Sequence, residues 1–198
     1  MKQLTIKDLM TTGVYAALYF LFVALGTLVG VVIIHSGNMM LAPAFTALFA
    51  GTVYMVLISK VQKFGAITLV GVMMACFFFF SGHFIVSFIP SLVFGVLADS
   101  IGKMGNYQSK LSNLLSYIVF SFGNLGPIIL MWVAREAYVQ RLLDKGKDMT
   151  YVNNVMVEFN VSNVAFLLGI VAIGALIGGL FGQYILRKHF TKAGMAGE

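Results

Sequence analysis

The charged residues of this chain, Asp99 apart, fall in the gaps between long apolar runs, and that distribution limits the fold more than any single motif does. Six runs can be counted, at roughly 9–34, 38–58, 64–80, 84–101, 111–134 and 162–186. A helix of about 20 predominantly apolar residues crosses a bilayer, and in lipid it satisfies its own backbone N–H and C=O groups. Sixty per cent of residues are hydrophobic and ten per cent charged, against roughly 25% charged in a soluble domain. The expectation is an all-α integral membrane protein with six transmembrane helices. The 198 residues form one membrane domain and leave no room for a separate soluble one. The first run, 9–34, is longer than the core of about 7–15 residues found in a cleavable signal peptide, so it is expected to remain as a spanning helix.

The net charge of +6 does not point to nucleic acid, because the Lys and Arg are dispersed among the loops. Orientation accounts for them, since cytoplasmic loops carry the excess of Lys and Arg. With the N-terminus inside, nine fall on the inner side: Lys2, Lys7, Lys60, Lys63, Lys103, Lys110, Arg187, Lys188 and Lys192. Four fall outside, Arg135, Arg141, Lys145 and Lys147, all in one long loop where acids offset them. Both termini are therefore expected in the cytoplasm. The single Cys76 allows no intrachain disulfide.

Small residues recur at four-residue spacing. Thr12/Ala16 and Gly13/Ala17 lie on the first segment, and Gly174, Gly178 and Gly182 on the last. Helices in lipid associate tightly when small side chains let their backbones approach. The rows suit either packing within the bundle or a surface for another membrane protein; Gly26 and Gly30 are assigned to packing.

Several polar residues are candidates for a ligand site at the outer face. His35 and His83 occupy the two short outer connections, near Met39 and Met40, and imidazole and thioether ligate transition metals or haem iron. An interfacial imidazole bonded to backbone or water is the other reading of each. Asn124, in SFGNLGP, either lines a cavity or bonds to a neighbouring helix. The adjacent Pro127 withholds a backbone donor and should loosen the helix. Ser87 and Ser91 flank Pro90 in a similar kinked, polar spot. Asn163 opens the sixth segment, as a substrate contact or as part of a helix cap. The loop 135–161 reads as a lid carrying Arg135, Arg141 and Tyr151, because connections this long are usually functional or disordered. Its Val155, Met156, Val157 and Phe159 need an apolar surface to rest on. Asp99 is expected to pair with Lys103, four residues on along the same helix.

Absences narrow the chemistry. The sequence has no Gly-x-x-x-x-Gly-Lys-Ser/Thr phosphate loop, no His-Glu-x-x-His and no Gly-x-Ser-x-Gly. No chain of buried acids supports proton-driven transport. The residues describe a binder in the membrane that has no engine of its own and is not an enzyme.

The length, the six helices, the small-residue face on the first and the elaborated fifth loop resemble an S component of an energy-coupling factor (ECF) transporter. More narrowly, the opening KQLTIKDLMTTGVYAALYF resembles the Trep_Strep family of such components in Firmicutes. The resemblance implies a multi-pass protein in a Gram-positive cell membrane. It captures a micronutrient outside, in a pocket made by outer loops and helices four to six. It then docks to a transmembrane T component coupled to two cytoplasmic ATPases, and topples to release its substrate. Thr12, Gly13, Ala16 and Ala17 occupy the position of the family's Ala-x-x-x-Ala docking surface. The family's nickel and cobalt type has an early His, which Met1-Lys2-Gln3 lacks. No resident cofactor is implied. Haem or another tetrapyrrole would use His35 and His83 on the metal and Arg135 or Arg141 on the propionates; a vitamin-like heterocycle is the equal alternative. A stand-alone facilitator or channel, or an intramembrane enzyme, are the readings from other classes.

Overall fold

The computed structural model describes residues 3–34, 40–80 and 88–190, and the regular elements among them are all helical. His35, His83 and Ser87 lie outside the described residues. Helix α1 (Ile6–Ile34) starts on a reciprocal cap. Thr5 N donates to the Asp8 carboxylate at 2.7 Å, and Asp8 N donates back to Thr5 Oγ1 at 3.3 Å. The second leg is broken into α2 (Ala42–Phe49) and α3 (Gly51–Val61), whose axes bend by 50°. Lys63, just beyond α3, pairs with Asp8 at 2.6 Å.

Helix α4 (Ala66–Phe80) follows, then α5 (Ile89–Met104), with Pro90 in its first turn where no donor is needed. The fifth leg is α6 (Lys110–Ser121), a 3₁₀ turn at Phe122–Leu125, and α7 (Gly126–Val133). The break falls at Pro127, where the missing backbone donor places it. Two short helices, α8 (Arg135–Asp144) and α9 (Met149–Val155), lead to α10 (Val161–Ile185), which ends in a π turn at Leu186–Phe190.

Close approaches fix the directions of these legs. Gly26 meets Thr46 and Gly30 meets Ala42, so α1 and α2 run antiparallel. Gly71 meets Gly95 between α4 and α5. Ser116 Oγ donates to Ala98 O, linking α6 to α5, and Gln183 Nε2 donates to Lys110 O, linking α10 to α6. Consecutive legs therefore alternate. Three helical spans are long and apolar enough to cross a membrane: Ile6–Ile33, Lys110–Val133 and Val161–Lys188. The bent pair makes a fourth if it counts as one. With 15 and 16 residues, α4 and α5 reach only about 22–24 Å at about 1.5 Å per residue, less than a hydrocarbon core of about 30 Å.

Packing reassigns several small residues. A Cβ at Gly174 would sit 2.5 Å from Ala44 O, and one at Gly182 would sit 2.6 Å from Gly51 O. One at Gly178 would strike Ala47 O and Leu48 O. The three glycines are thus used up inside the bundle, where α10 lies backbone to backbone on α2 and α3, and do not form an outer docking face. Thr12 and Ala16 are likewise buried at 1% and 0% exposure. Gly13 and Ala17, one residue on, turn outward with open space at the Gly13 Cβ position. The two ridges of α1 therefore point in different directions.

The Asp99–Lys103 pair is also corrected. Asp99 is fully buried. Its carboxylate accepts from Gly65 N at 2.8 Å, Thr68 N at 2.9 Å, Thr68 Oγ1 at 2.8 Å and Tyr107 OH at 2.9 Å. A carboxylate on α5 therefore caps the N-terminus of α4, where the helix dipole favours an anion. Lys103 is exposed and lies over the Phe64 ring. Burial, and then the neighbouring carboxylate, push the Tyr107 phenol above its usual range.

Two outcomes are expected from thermal unfolding in detergent. Gly178→Leu should cost about 3 kcal/mol, the upper end of the cost of overpacking, because the obstruction is backbone. Asp99→Asn should cost about 1–3 kcal/mol through a mismatched donor, while Lys103→Ala should cost about 0.5–1 kcal/mol, the value of an exposed cation–π contact.

Candidate functional site

A cavity of about 650 Å³ opens to the surface of the bundle. Phe20, Val23, Ala24 and Thr27 of α1 form one wall, and Ala42, Pro43 and Thr46 of α2 form another. Phe77 and Phe78 come from α4, and Asn124, Pro127 and Ile128 from the break between α6 and α7. The lining among the described residues is apolar except for two hydroxyls and one amide. Thr27 Oγ1 is occupied by Val23 O at 2.9 Å. Pro43 and Pro127 bring helix starts to the cavity, and the 3₁₀ turn turns Asn124 toward it.

Asn124 is the predicted site residue that the structure places here. Both of its readings hold together: it lines the cavity, and its Nδ2 donates to Tyr19 OH at 2.8 Å. Tyr19 is buried and stands edge-on to Phe120 at 5.4 Å between centroids. Phe120 contacts Tyr54 at 5.2 Å, and Tyr54 contacts Tyr117 at 4.8 Å. The amide is therefore positioned by an aromatic column through the centre of the bundle.

Other predicted residues are used elsewhere. Ser91 Oγ donates to Gly123 O at 3.1 Å, meeting a carbonyl within the 3₁₀ turn. Asn163 contributes to the start of α10: its backbone N donates to Asn160 Oδ1 at 2.7 Å and its Nδ2 to Glu158 O at 2.9 Å. Tyr151 is 36% exposed, with Lys147 Nζ 4.7 Å from its ring centroid. Arg135 lines a separate cleft of about 50 Å³ with Trp132 and Phe159. Arg141 falls in the last turn of α8. The described cavity lining contains none of these side chains.

The long loop does rest on apolar surface. Val152, Val155 and Val157 are buried, and Trp132 Nε1 donates to Val157 O at 3.0 Å. Phe159 stays exposed against the Trp132 ring. The sequence reading missed the walls contributed by α1, α2 and α4, since a run of Phe and Ala looks the same whether it faces a cavity or a neighbour. Of the outer loops and helices four to six that the resemblance implies, the fifth leg supplies Asn124, Pro127 and Ile128.

Replacing Trp132 with Phe keeps the ring but removes the donor to Val157. Trypsin cleavage at Lys145 and Lys147 should then run about fivefold faster, as expected for a tether worth about 1 kcal/mol, read by gel.

No curated protein and no solved structure matches this chain. Residues 6–192 match a family described as hypothetical bacterial integral membrane proteins, Trep_Strep. This match spans nearly the whole bundle, from the first turn of α1 to beyond the π turn. The chain belongs to the Trep_Strep family of bacterial integral membrane proteins.

Proposed function

We propose that this protein is the substrate-capturing S component of an ECF-type importer. In this reading the six legs are six membrane spans, and both termini lie in the cytoplasm of a Gram-positive type cell. The cavity of about 650 Å³ is the observation that carries the proposal. It lies toward the end of the bundle away from Ile6 and Ile185, the outer end in this orientation. Its size and apolar lining suit a small organic molecule, as ligand pockets generally do.

Such a binder needs energy from elsewhere, because the sequence carries no phosphate loop. The partners are a transmembrane T component and two cytoplasmic ATPases. Gly13 and Ala17, with Met10 and Val14 beside them, supply an outward small-and-apolar stripe near the start of α1 that suits a helix of the T component. The outer half of α1 and the cavity then serve the ligand. A vitamin-like heterocycle suits the lining better than haem does, because Arg135 lies in a different cleft and so no cation for a propionate stands in the described lining.

The test is co-purification. Tagged protein expressed with its native partners should carry the T component and both ATPases. Gly13→Leu combined with Ala17→Leu should reduce their recovery about tenfold while leaving the melting temperature unchanged, since both positions face outward. Full recovery with the double variant would remove α1 as the docking face. Substrate flux into liposomes holding this chain alone would instead make it a facilitator.

A further inference from the structure

We propose that the cavity between α1, α2 and α7 takes an uncharged, largely apolar molecule delivered from within the bilayer, held by one hydrogen-bond donor on Asn124 Oδ1.

The described lining carries no charge. No Asp, Glu, Lys, Arg or His stands among its described residues. An ionised group moved there from water loses its hydration and gains no counter-charge, a cost of several kcal/mol.

The route of entry follows from a gradient of exposure. On the deep side Thr46, Phe78 and Ile128 are buried, at 2%, 6% and 2% exposure. At the rim Leu21, Leu28 and Phe77 are exposed, at 66%, 61% and 45%. Leu21 and Leu28 are seven residues apart, two turns of one helix, and share a stripe with Leu25. In a membrane protein that stripe faces acyl chains. Among the described residues this path is hydrocarbon apart from the Thr27 and Thr46 hydroxyls and the Asn124 amide, so a molecule dissolved in lipid meets no charged group there.

The anchor is set by Tyr19. Nδ2 of Asn124 donates one N–H to the Tyr19 hydroxyl at 2.8 Å, which holds the amide in place and leaves its second N–H and Oδ1 for a ligand. Oδ1 accepts from none of the described residues, and Asn124 lines the cavity. An amide oxygen that opens onto an apolar cavity lacks the partners it has in water, so an O–H or N–H on the ligand gains by meeting it. The Thr46 hydroxyl is the second polar group within the deep lining.

This inference deepens the reading of the chain as a small-molecule binder and is independent of its partners. Labelling needs this chain alone, whereas recovery of the T component and ATPases tests docking, so the two can fail separately.

The experiment uses the full chain in phosphatidylcholine nanodiscs with two photoreactive probes, a diazirine-bearing hexadecanol and the corresponding hexadecanoate, at a pH where the acid is ionised. Mass spectrometry of peptides locates the crosslinks. The alcohol should label residues 20–28 of α1 and Phe77 or Phe78 of α4, and the carboxylate about tenfold less. Ala24→Trp fills the cavity from an exposed position and should lower alcohol labelling about tenfold without lowering the melting temperature. Leu28→Trp, at the rim, gives a second obstruction should the first misfold. Asn124→Leu should also lower labelling, and unchanged labelling would overturn the anchor. Equal labelling by the carboxylate at these positions, or alcohol labelling indifferent to both Trp variants, would overturn the proposal.

Discussion

The Tyr117 hydroxyl donating to Ala47 O at 2.6 Å is the contact on which much of this bundle depends. Because α2 stops at Phe49 and α3 starts at Gly51, the regular ladder leaves Ala47 O without its partner. In lipid no water replaces it, and an unmet carbonyl costs several kcal/mol. Similar irregularities recur, and a neighbouring leg answers each. Ser91 of α5 meets Gly123 O in the break of the fifth leg, and Asp99 of α5 meets the free N–H groups at the start of α4. The chain can bend twice inside an apolar medium because these side chains come from other helices. The polar groups that looked in sequence like candidates for transport are in part the means of closing such gaps.

The class of fold was legible because segregation of charge from apolar runs leaves helices as the available structure in a bilayer. The break at Pro127 could be read, since a residue without an N–H must interrupt the ladder. The break at Ala50–Gly51 could not, because it has no proline and depends on Gly178 and Tyr117 more than 60 residues away. The Asp99 error has the same origin. Local spacing favoured Lys103, but a fully buried carboxylate needs several fixed donors, and these came from the start of another helix.

The small-residue rows show a related limit. Four-residue spacing establishes that something approaches closely and leaves open what does. At Gly174, Gly178 and Gly182 the approaching surface is α2 and α3 of the same chain. On α1, a rotation of one residue separates an inward ridge at Thr12 and Ala16 from an outward one at Gly13 and Ala17. The candidate site follows the same logic: Asn124 was visible as an expensive polar residue in an apolar run, while its walls are ordinary apolar side chains given meaning by the bends around them.

The glycine rows also constrain motion. The α2–α3 leg is gripped on one side by Gly26 and Gly30 of α1 and on another by Gly174, Gly178 and Gly182 of α10. Each glycine receives backbone, so these surfaces mesh like teeth whose pitch is four residues, about 6 Å at about 1.5 Å per residue. Sliding by a fraction of that pitch would drive carbonyls into the intervening side chains. The three legs are thus interlocked through their backbones, and sliding one past another is resisted at every glycine along the two seams.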